Sequence, residues 1–341
     1  MARPTSSPIA NLKRIIPRIK GKRIGVLGDL MLDRYLWGTA SRLSPESPVP
    51  VVEFEKQEQF LGGAGNVAAN LAALGVRAEA FGVIGEAKNE EDEAGRSLRA
   101  CLRELGIGDR GVVADPARVT TVKTRIIARH QQIVRLDQES RETLGKEVED
   151  RIFRKFAERV KNLDGLVFSD YDKGVVSDSL SERVLSQCHK EKIPVFVGPK
   201  RRNLLAHRGA RAVICNLSEA EGFVTHPLRD EKAIEEAGRA LLAHFGCGAV
   251  IITRGERGMS IFEEASPKYS TISATAGKQV FDVTGAGDTV LSVLAAAVCA
   301  GASVPDAATL ANTAAGVVVG KLGTASVSPE ELIQALDDLA Q

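Results

Sequence analysis

Apolar positions along the chain fall into short continuous runs separated by longer amphipathic stretches. Runs at Arg23–Gly28 (RIGVLG), Leu166–Ser169, Val195–Val197, Ala212–Cys215 and Val250–Thr253 have the length and β-branched content of strands buried on both faces. Between them lie segments of helical length at Asn66–Leu74, Glu90–Leu105, Lys146–Asn162, Asp178–Glu191, Glu231–Phe245 and Asp288–Ala300. Strand alternating with helix predicts an α/β fold, a central mostly parallel sheet with helices on both faces. Two stretches break the rhythm. Val49–Phe60 (VPVVEFEKQEQF) and Val119–Leu136 (VTTVKTRIIARHQQIVRL) alternate apolar and polar residues as half-exposed antiparallel strands do. They predict a small inserted β-sheet, with segments at about 35–60 and 118–137. The first ten residues, rich in Pro and Ser, read as a disordered tail followed by a short basic helix broken near Pro17, so residues 1–22 stand apart from a domain of 23–341.

Composition narrows the function classes. The 341 residues suffice for about two domains or one large α/β sheet. With 45 Lys+Arg against 44 Asp+Glu the net charge is +1, so no basic field draws the chain to nucleic acid and an anionic ligand must be held locally. The N-terminus lacks the apolar core of a secretory signal, and the longest later apolar run, Val290–Ala300, is too short to span a bilayer. These features predict a cytoplasmic protein with no membrane partner. Five cysteines, widely spaced and never in a CxxC pair, signal neither disulfides nor zinc and read as reduced, mostly buried thiols. Histidines without HxxxH spacing and the lack of GxSxG leave zinc hydrolases and serine esterases without support.

In an open α/β sheet ligands bind beyond the carboxyl ends of the strands, so the residues just after each apolar run are the ones that could carry chemistry. The sharpest motif is Asp282-Val283-Thr284-Gly285-Ala286-Gly287-Asp288, which opens an apolar helix. Backbone amides of Gly285, Ala286 and Gly287 can approach an anion closely, and the helix N-terminus adds its positive dipole end. Asp288 beside them can take a proton from an attacking hydroxyl; a plain glycine turn capped by aspartate is the bland alternative. Gly62-Gly63-Ala64-Gly65-Asn66 also precedes a helix and can lay a polyhydroxylated ligand against the backbone, with Asn66 either bonding its hydroxyls or merely capping the helix. Asn216-Leu217-Ser218-Glu219 follows the Ala212–Cys215 run and can orient phosphate oxygens and Mg²⁺ waters, or simply start a helix. Gly316–Lys321 imitates a P-loop but has one residue too few between its glycines, and Leu322 stands where Ser or Thr is required.

Taken together, the Gly-Gly loop, Asn216–Glu219 and DVTGAGD resemble the ribokinase-like (PfkB) family of sugar kinases. Further segments, GDLMLDRYLWG (28–38), SRLSPESPVPVV (41–52), RIIARHQQIVRLD (125–137), SDYDKGVV (169–176), NLSEAE (216–221), TRGERGMS (253–260) and NTAAGVVVGKLGTASVSPEEL (312–332), look like the kinase module of heptose-7-phosphate kinases. The resemblance implies a ribokinase-like fold with a β-sheet lid, homodimeric through that lid. It also implies transfer of the ATP γ-phosphoryl to the anomeric hydroxyl of D-glycero-β-D-manno-heptose 7-phosphate, on the way to ADP-heptose.

Carried onto matching positions, Asp288 is the base and Gly285, Ala286 and Gly287 the anion hole. Asn216, Ser218 and Glu219 face the ATP phosphates and Mg²⁺, Thr253, Arg254 and Gly255 the nucleotide, and Asn312 the adenine side. Asp29, Asp33, Gly62, Gly63 and Asn66 hold sugar hydroxyls, Lys173 and Lys200 substrate or phosphate, and Asp282 and Thr284 a monovalent cation such as K⁺. For a sugar that carries its own phosphate dianion, Lys123, Arg125, Arg129 and Arg135, which at period two share one face, offer candidate cations. One departure stands out: Val197-Gly198-Pro199-Lys200 has glycine where heptose kinases usually read Asp-Pro-Lys. Other readings are a kinase for a different sugar phosphate or nucleoside, a sugar- and nucleotide-binding protein without turnover, and, more distantly, a dinucleotide oxidoreductase.

Overall fold

Strands that the apolar runs foreshadow line up side by side in one large sheet. A computed structural model describes residues 3–4, 9–129, 131–200, 208–274, 282–321 and 323–340. A two-residue strand β1 (Arg3–Pro4) and helix α1 (Ile9–Ile19) lead into β2 (Arg23–Gly28), β3 (Leu30–Leu43), β4 (Pro50–Gly63) and α2 (Ala64–Ala73). Next come β5 (Arg77–Ala87), β6 (Glu90–Glu91), α3 (Glu93–Glu104), β7 (Gly108–Asp115), β8 (Thr121–Ala128), β9 (Gln131–Gln138) and α4 (Lys146–Ala157). Then follow β10 (Gly165–Ser169), α5 (Asp178–Glu191), β11 (Val195–Gly198), β12 (Ala212–Asn216), α6 (Leu217–Val224), α7 (Glu231–Phe245) and β13 (Ala249–Thr253). Then β14 (Met259–Glu263) and β15 (Ser270–Ile272) form an antiparallel edge, and α8 (Ala286–Cys299), α9 (Val304–Val318) and α10 (Pro329–Asp338) close the chain.

The large sheet runs β1-β15-β14-β13-β12-β11-β10-β2-β5-β6, with β7 also paired to β5. From β13 across to β5 and β7 every pairing is parallel. Each central strand feeds both faces at period two. In β13, Ala249 and Ile251 join one core with Leu71 of α2, Leu294 of α8 and Leu310 of α9. Val250 and Ile252 join the other with Ile152 of α4, Val184 of α5 and Leu241 of α7. Helix α8 is buried from Asp288 through Ala297, which explains its unbroken apolar run: it lies inside the molecule, between α2 and α9. Among the described residues no helix is long and apolar enough to cross a membrane. All five cysteines are unpaired, with Cys188, Cys215 and Cys247 buried and Cys101 and Cys299 partly so.

The small sheet has the order β4-β3-β8-β9. Its β3 and β8 pair in parallel, whereas β3–β4 and β8–β9 are antiparallel, so the alternating stretches are not all antiparallel as expected. It also starts earlier than the sequence pattern suggests, because Leu30–Asp33 is buried and carries no alternation to read. Helix α1 continues through Pro17 to Ile19, contrary to the break expected there. The proline falls in the last turn, and burial of Leu12, Ile15, Ile16 and Ile19 offsets the one backbone bond it forfeits. The expected tail over the first ten residues lies mostly outside the described residues, as does Leu322; Ile9 and Ala10 are already helical.

β2 and β10 end side by side, and Gly28 there approaches Ser169 so closely that a Cβ would stand 2.0 Å from the Ser169 carbonyl oxygen. Both atoms belong to backbones that the sheet holds fixed. Gly28→Ala is therefore expected to cost at least about 2 kcal/mol of stability, measured as a lower denaturation midpoint with the slope unchanged.

Candidate active site

Strands β2, β10, β11, β12 and β13 end on one edge of the sheet, and the N-terminus of α8 lies over that edge. The cleft between them, about 220 Å³, is lined by residues that follow strand ends, among them Asp170, Tyr171, Lys200, Asn216 and Thr253, and by Gly285, Gly287 and Asp288 at the start of α8. The expectation that chemistry gathers beyond the carboxyl ends thus places the cleft correctly.

Asp288 is buried in the first turn of α8. Its Oδ1 accepts a hydrogen bond from the Tyr171 hydroxyl at 2.5 Å and its Oδ2 one from Asn66 Nδ2 at 2.7 Å. Burial pushes its carboxyl up to about 6; the bonds from Tyr171 and Asn66 and the charge of Lys200 pull the other way, while Asp33 adds to the rise. Asp288 is therefore mostly ionised at neutral pH and close enough to neutrality to exchange a proton. Asn66 is held in turn by Asn70, whose Nδ2 donates to Asn66 Oδ1 at 3.2 Å, and Thr289 donates to Asn70 Oδ1 at 2.9 Å. The side chain expected to meet sugar hydroxyls thus spends both ends inside the protein, as part of a ladder that ties α2 to α8.

The glycine turn behaves as its composition demands. Gly285 has φ 81°, and a Cβ there would stand 2.8 Å from Asn66 Nδ2. Gly285 and Gly287 line the cleft, but Ala286 does not: its N–H is bonded to the Val283 carbonyl at 3.2 Å, which corrects the assignment of all three amides to one anion hole. Upstream, Asp282 accepts N–H bonds from Thr284 (2.8 Å) and Gly323 (3.2 Å). Burial raises its carboxyl, but those bonds and the Arg125 charge outweigh burial and leave it below the ordinary range. An anionic oxygen set at Asp282 fits a monovalent cation, whereas the Thr284 amide is committed to Asp282.

On the opposite wall Asn216 and Glu219 form a reciprocal capping box at the start of α6, each side chain accepting the other's backbone N–H at 2.8 Å. The box is the helix start weighed for this motif, and both residues also line the cleft, where Glu219 pairs with Lys200. Ser218 is exposed in the same turn and does not line the cleft. Among the described residues no three His, Cys, Asp or Glu side chains gather as a metal cage. A divalent ion that takes most of its ligands from nucleotide phosphates and water fits such a wall, with Glu219 as an outer contact.

Thr253 lines the cleft at the end of β13, but Arg254 turns away to Glu231 at the start of α7 (2.7 Å). Gly255 opens a 3₁₀ turn with φ 59°, and Asn312 on α9 donates to the Ser273 carbonyl at 2.9 Å, outside the cleft-lining set. Gly198 ends β11, and a Cβ there would meet only the Leu291 Cδ2 atom within 3.0 Å, the end of a flexible side chain. The carboxylate that lines the cleft beside it is Asp170, which accepts N–H bonds from Asp172 (2.8 Å) and Lys200 (3.4 Å).

The residues expected to hold sugar divide into two groups. Asp33, on β3, pairs with Arg125 of β8 at 2.5 Å; a Cβ on Gly62 would stand 2.6 Å from Asp33 Oδ2, so the carboxylate requires that glycine. Gly63, with φ 55°, immediately precedes α2. Asp29 is buried and accepts N–H bonds from Tyr171 (2.7 Å), Lys173 (3.2 Å) and Val175 (3.2 Å). Its oxygens hold the loop after β10 in place. Burial and the neighbouring Asp170 raise its carboxyl to about 6 against those three amides.

The candidate cations are also partnered. Lys123 reaches Asp137 at 3.2 Å, Arg135 reaches Asp137 at 2.9 Å, and Lys173, buried beside Asp29, pairs with Glu139 at 2.8 Å. Arg129 sits in the turn beyond β8 with φ 48°, so the period-two face that carries Lys123 and Arg125 does not extend to it. Sequence reasoning missed Tyr171, Asp170 and Asn70. The signals for the first two were their place directly after the Leu166–Ser169 run and within the SDYDKGVV segment.

Arranged this way, the cleft offers a buried carboxylate, two glycine positions at a helix N-terminus and a Lys–Glu pair on the facing wall, a set suited to moving a phosphoryl group onto a hydroxyl. Comparison with known proteins bears on that reading. The chain is 44% identical over 311 residues to the bifunctional protein HldE of Geobacter metallireducens, covering 91% of this chain and 62% of that one. It thus spans less than two thirds of the curated relatives it matches. In fold it is similar to an Arabidopsis thaliana ribokinase complexed with ribose and ATP (TM-score 0.71, 19% identity, 93% of this chain and 99% of that one). It is also similar to Escherichia coli phosphofructokinase-2 in complex with potassium (TM-score 0.73, 17% identity, 94% of this chain and 100% of that one). The family model for pfkB family carbohydrate kinases matches residues 22–331. On that match, with the ribokinase-like architecture and the glycine turn at Asp288 already in place, the chain belongs to the pfkB family of carbohydrate kinases.

Proposed function

We propose that the chain transfers the γ-phosphoryl of ATP to the anomeric hydroxyl of D-glycero-β-D-manno-heptose 7-phosphate, with Asp288 as the base. The observation that carries the chemistry is the ionised, buried Asp288 carboxylate beside Gly285 and Gly287 at the mouth of α8. The sugar assignment rests on the segments that resemble heptose-7-phosphate kinases and agrees with the HldE relatives. In the reaction the sugar oxygen bonds to the γ-phosphorus as the bond to the β–γ bridging oxygen breaks. The hydroxyl proton passes to Asp288 and ADP leaves. The amides of Gly285 and Gly287 face the charge that spreads over the transferred group. Lys200 and the Asn216–Glu219 box lie on the phosphate side, where Glu219 would contact a water of the Mg²⁺ that accompanies ATP and neutralises its phosphates. Asp282 would serve a K⁺ ion near the turn.

Recognition of the 7-phosphate falls, in this reading, to the lid. Arg125 and Lys123 project from the same face of β8, and each holds a carboxylate, Asp33 and Asp137 respectively, that a dianion could displace or share. The lid also supports a homodimer. Phe54, Val134 and Leu136 share the face turned away from Asp33 and Arg125, and they are 65%, 48% and 66% exposed. A sheet face of that kind is apolar enough to pair with a second copy.

Three outcomes are expected. Asp288→Asn should abolish ADP release with Mg-ATP and heptose 7-phosphate, by at least about 10³-fold, while the wild type prefers that sugar over ribose, fructose 6-phosphate and adenosine. Binding of the heptose without turnover in the wild type would point to a non-catalytic relative. Arg125→Ala should raise KM for the phosphorylated sugar by about 10-fold or more and leave KM for ATP unchanged, as read from initial rates. Light scattering should find a dimer in the wild type and a monomer in Phe54→Glu.

A further inference from the structure

Asp288 is reached by a side chain that the sugar-kinase reading leaves without a task. Tyr171 is half-buried in the cleft wall just after β10, and its hydroxyl lies 2.5 Å from Asp288 Oδ1. Three contacts fix where that hydroxyl stands. The Tyr171 backbone N–H donates to Asp29 at 2.7 Å, and the same carboxylate takes the N–H groups of Lys173 and Val175, so the whole loop is pinned from below. The Lys200 ammonium lies 5.7 Å from the centre of the Tyr171 ring and pairs with Glu219 across the cleft. Toward an ionised carboxylate, which has no proton of its own to give, a phenol can only donate, so this bond is strongest when Asp288 is charged.

We propose that Tyr171 is a positioning residue for the base: its hydroxyl, with Asn66 on the other oxygen, fixes the Asp288 carboxylate in one orientation and holds it ionised, leaving a lone pair on each oxygen for the substrate proton. The inference rests on the reading of Asp288 as the base. The groups that face Asp288 are Tyr171 after β10, Asn66 of α2, Lys200 after β11 and Asp33 of β3; Glu219 of α6 acts on Tyr171. Lys200 favours the charged form and Asp33 opposes it. Burial drives the carboxyl toward its neutral form, and the two hydrogen bonds, with the Lys200 charge, oppose it.

The test titrates Asp288 directly, by ¹³C NMR of protein labelled at the aspartate carboxyl carbons, its resonance identified by loss in Asp288→Asn. Tyr171→Phe removes a bond that favours the charged form, so the midpoint should rise by about one pH unit. The acid limb of the kcat profile should rise with it, and kcat near neutrality should fall about ten-fold with KM for ATP unchanged. Replacing the three tyrosines by 3-fluorotyrosine keeps the side chain and makes the phenol a stronger donor. Of these tyrosines only Tyr171 bonds Asp288 among the described residues, and the midpoint should then move down. A midpoint that stays put in both proteins overturns the inference while leaving Asp288 as the base. Turnover retained by Asp288→Asn instead removes the base, and the inference with it, whatever the resonance does.

Discussion

The Asp29 carboxylate is the junction on which the site is built. It lies between the end of β2 and the start of β3, where the chain leaves the large sheet for the lid. Its N–H bonds to the Ser169 carbonyl at 3.2 Å, its own carbonyl accepts from Ala64 at the head of α2 at 3.0 Å, and its side chain gathers three amides of the loop after β10. One residue thus ties together the sheet edge, the lid, α2 and the loop that presents Tyr171 and Lys173. A buried carboxylate is expensive to ionise, and the amides answer that cost only in part, as the carboxyl raised to about 6 records. Asp29 and Asp288 both oppose folding at neutral pH, and both are retained inside the structure by hydrogen-bond donors that other elements supply.

The cleft is divided by the same construction. On one side Asp33, Arg125, Asn66 and Asp288 come from the lid, α2 and α8; on the other Lys200, Asn216 and Glu219 come from the ends of β11 and β12. Tyr171 spans the two, with its hydroxyl on Asp288 and its ring under Lys200. A kinase needs this kind of partition, since the nucleotide phosphates and the acceptor hydroxyl must arrive from different sides of the transferred group and the protein has little covalent chemistry to perform. Several site side chains do structural work at the same time. The Asn216–Glu219 box caps α6, and the Asn66–Asn70–Thr289 ladder binds α2 to α8. Weighing a structural against a functional reading residue by residue is therefore a false choice at these positions.

What could be read from the chain was what local physics decides. Strands β2, β10, β11, β12 and β13 are short apolar runs, and α5 and α7 begin at Ser177 and Asp230, whose side chains accept from the N–H three residues on. The DVTGAGD string was legible for the same reason: glycine at φ 81° followed by a helix start is a property of neighbouring residues. β3 was half hidden, since burial on both sides at Leu30–Leu32 erases the alternation that marks a lid strand. Pro17 misled because a single forfeited bond in a last turn weighs less than four buried side chains.

The sequence by itself determined the layered α/β sheet, the edge on which chemistry gathers and the residue most suited to act as a base, because each is written in periodicity, composition or contiguous motif. Only the tertiary structure decided what surrounds that base. Tyr171 and Asn66 stand 117 and 222 positions from Asp288 and meet it because β10 and α2 are packed against α8. It likewise decided that Ala286 is spent on a turn, that Arg129 leaves the face of Lys123 and Arg125, and that Asp29 holds the loop after β10. A hydrogen bond depends on where two atoms stand in space, and spacing along the chain carries that information only within one helix, strand or turn.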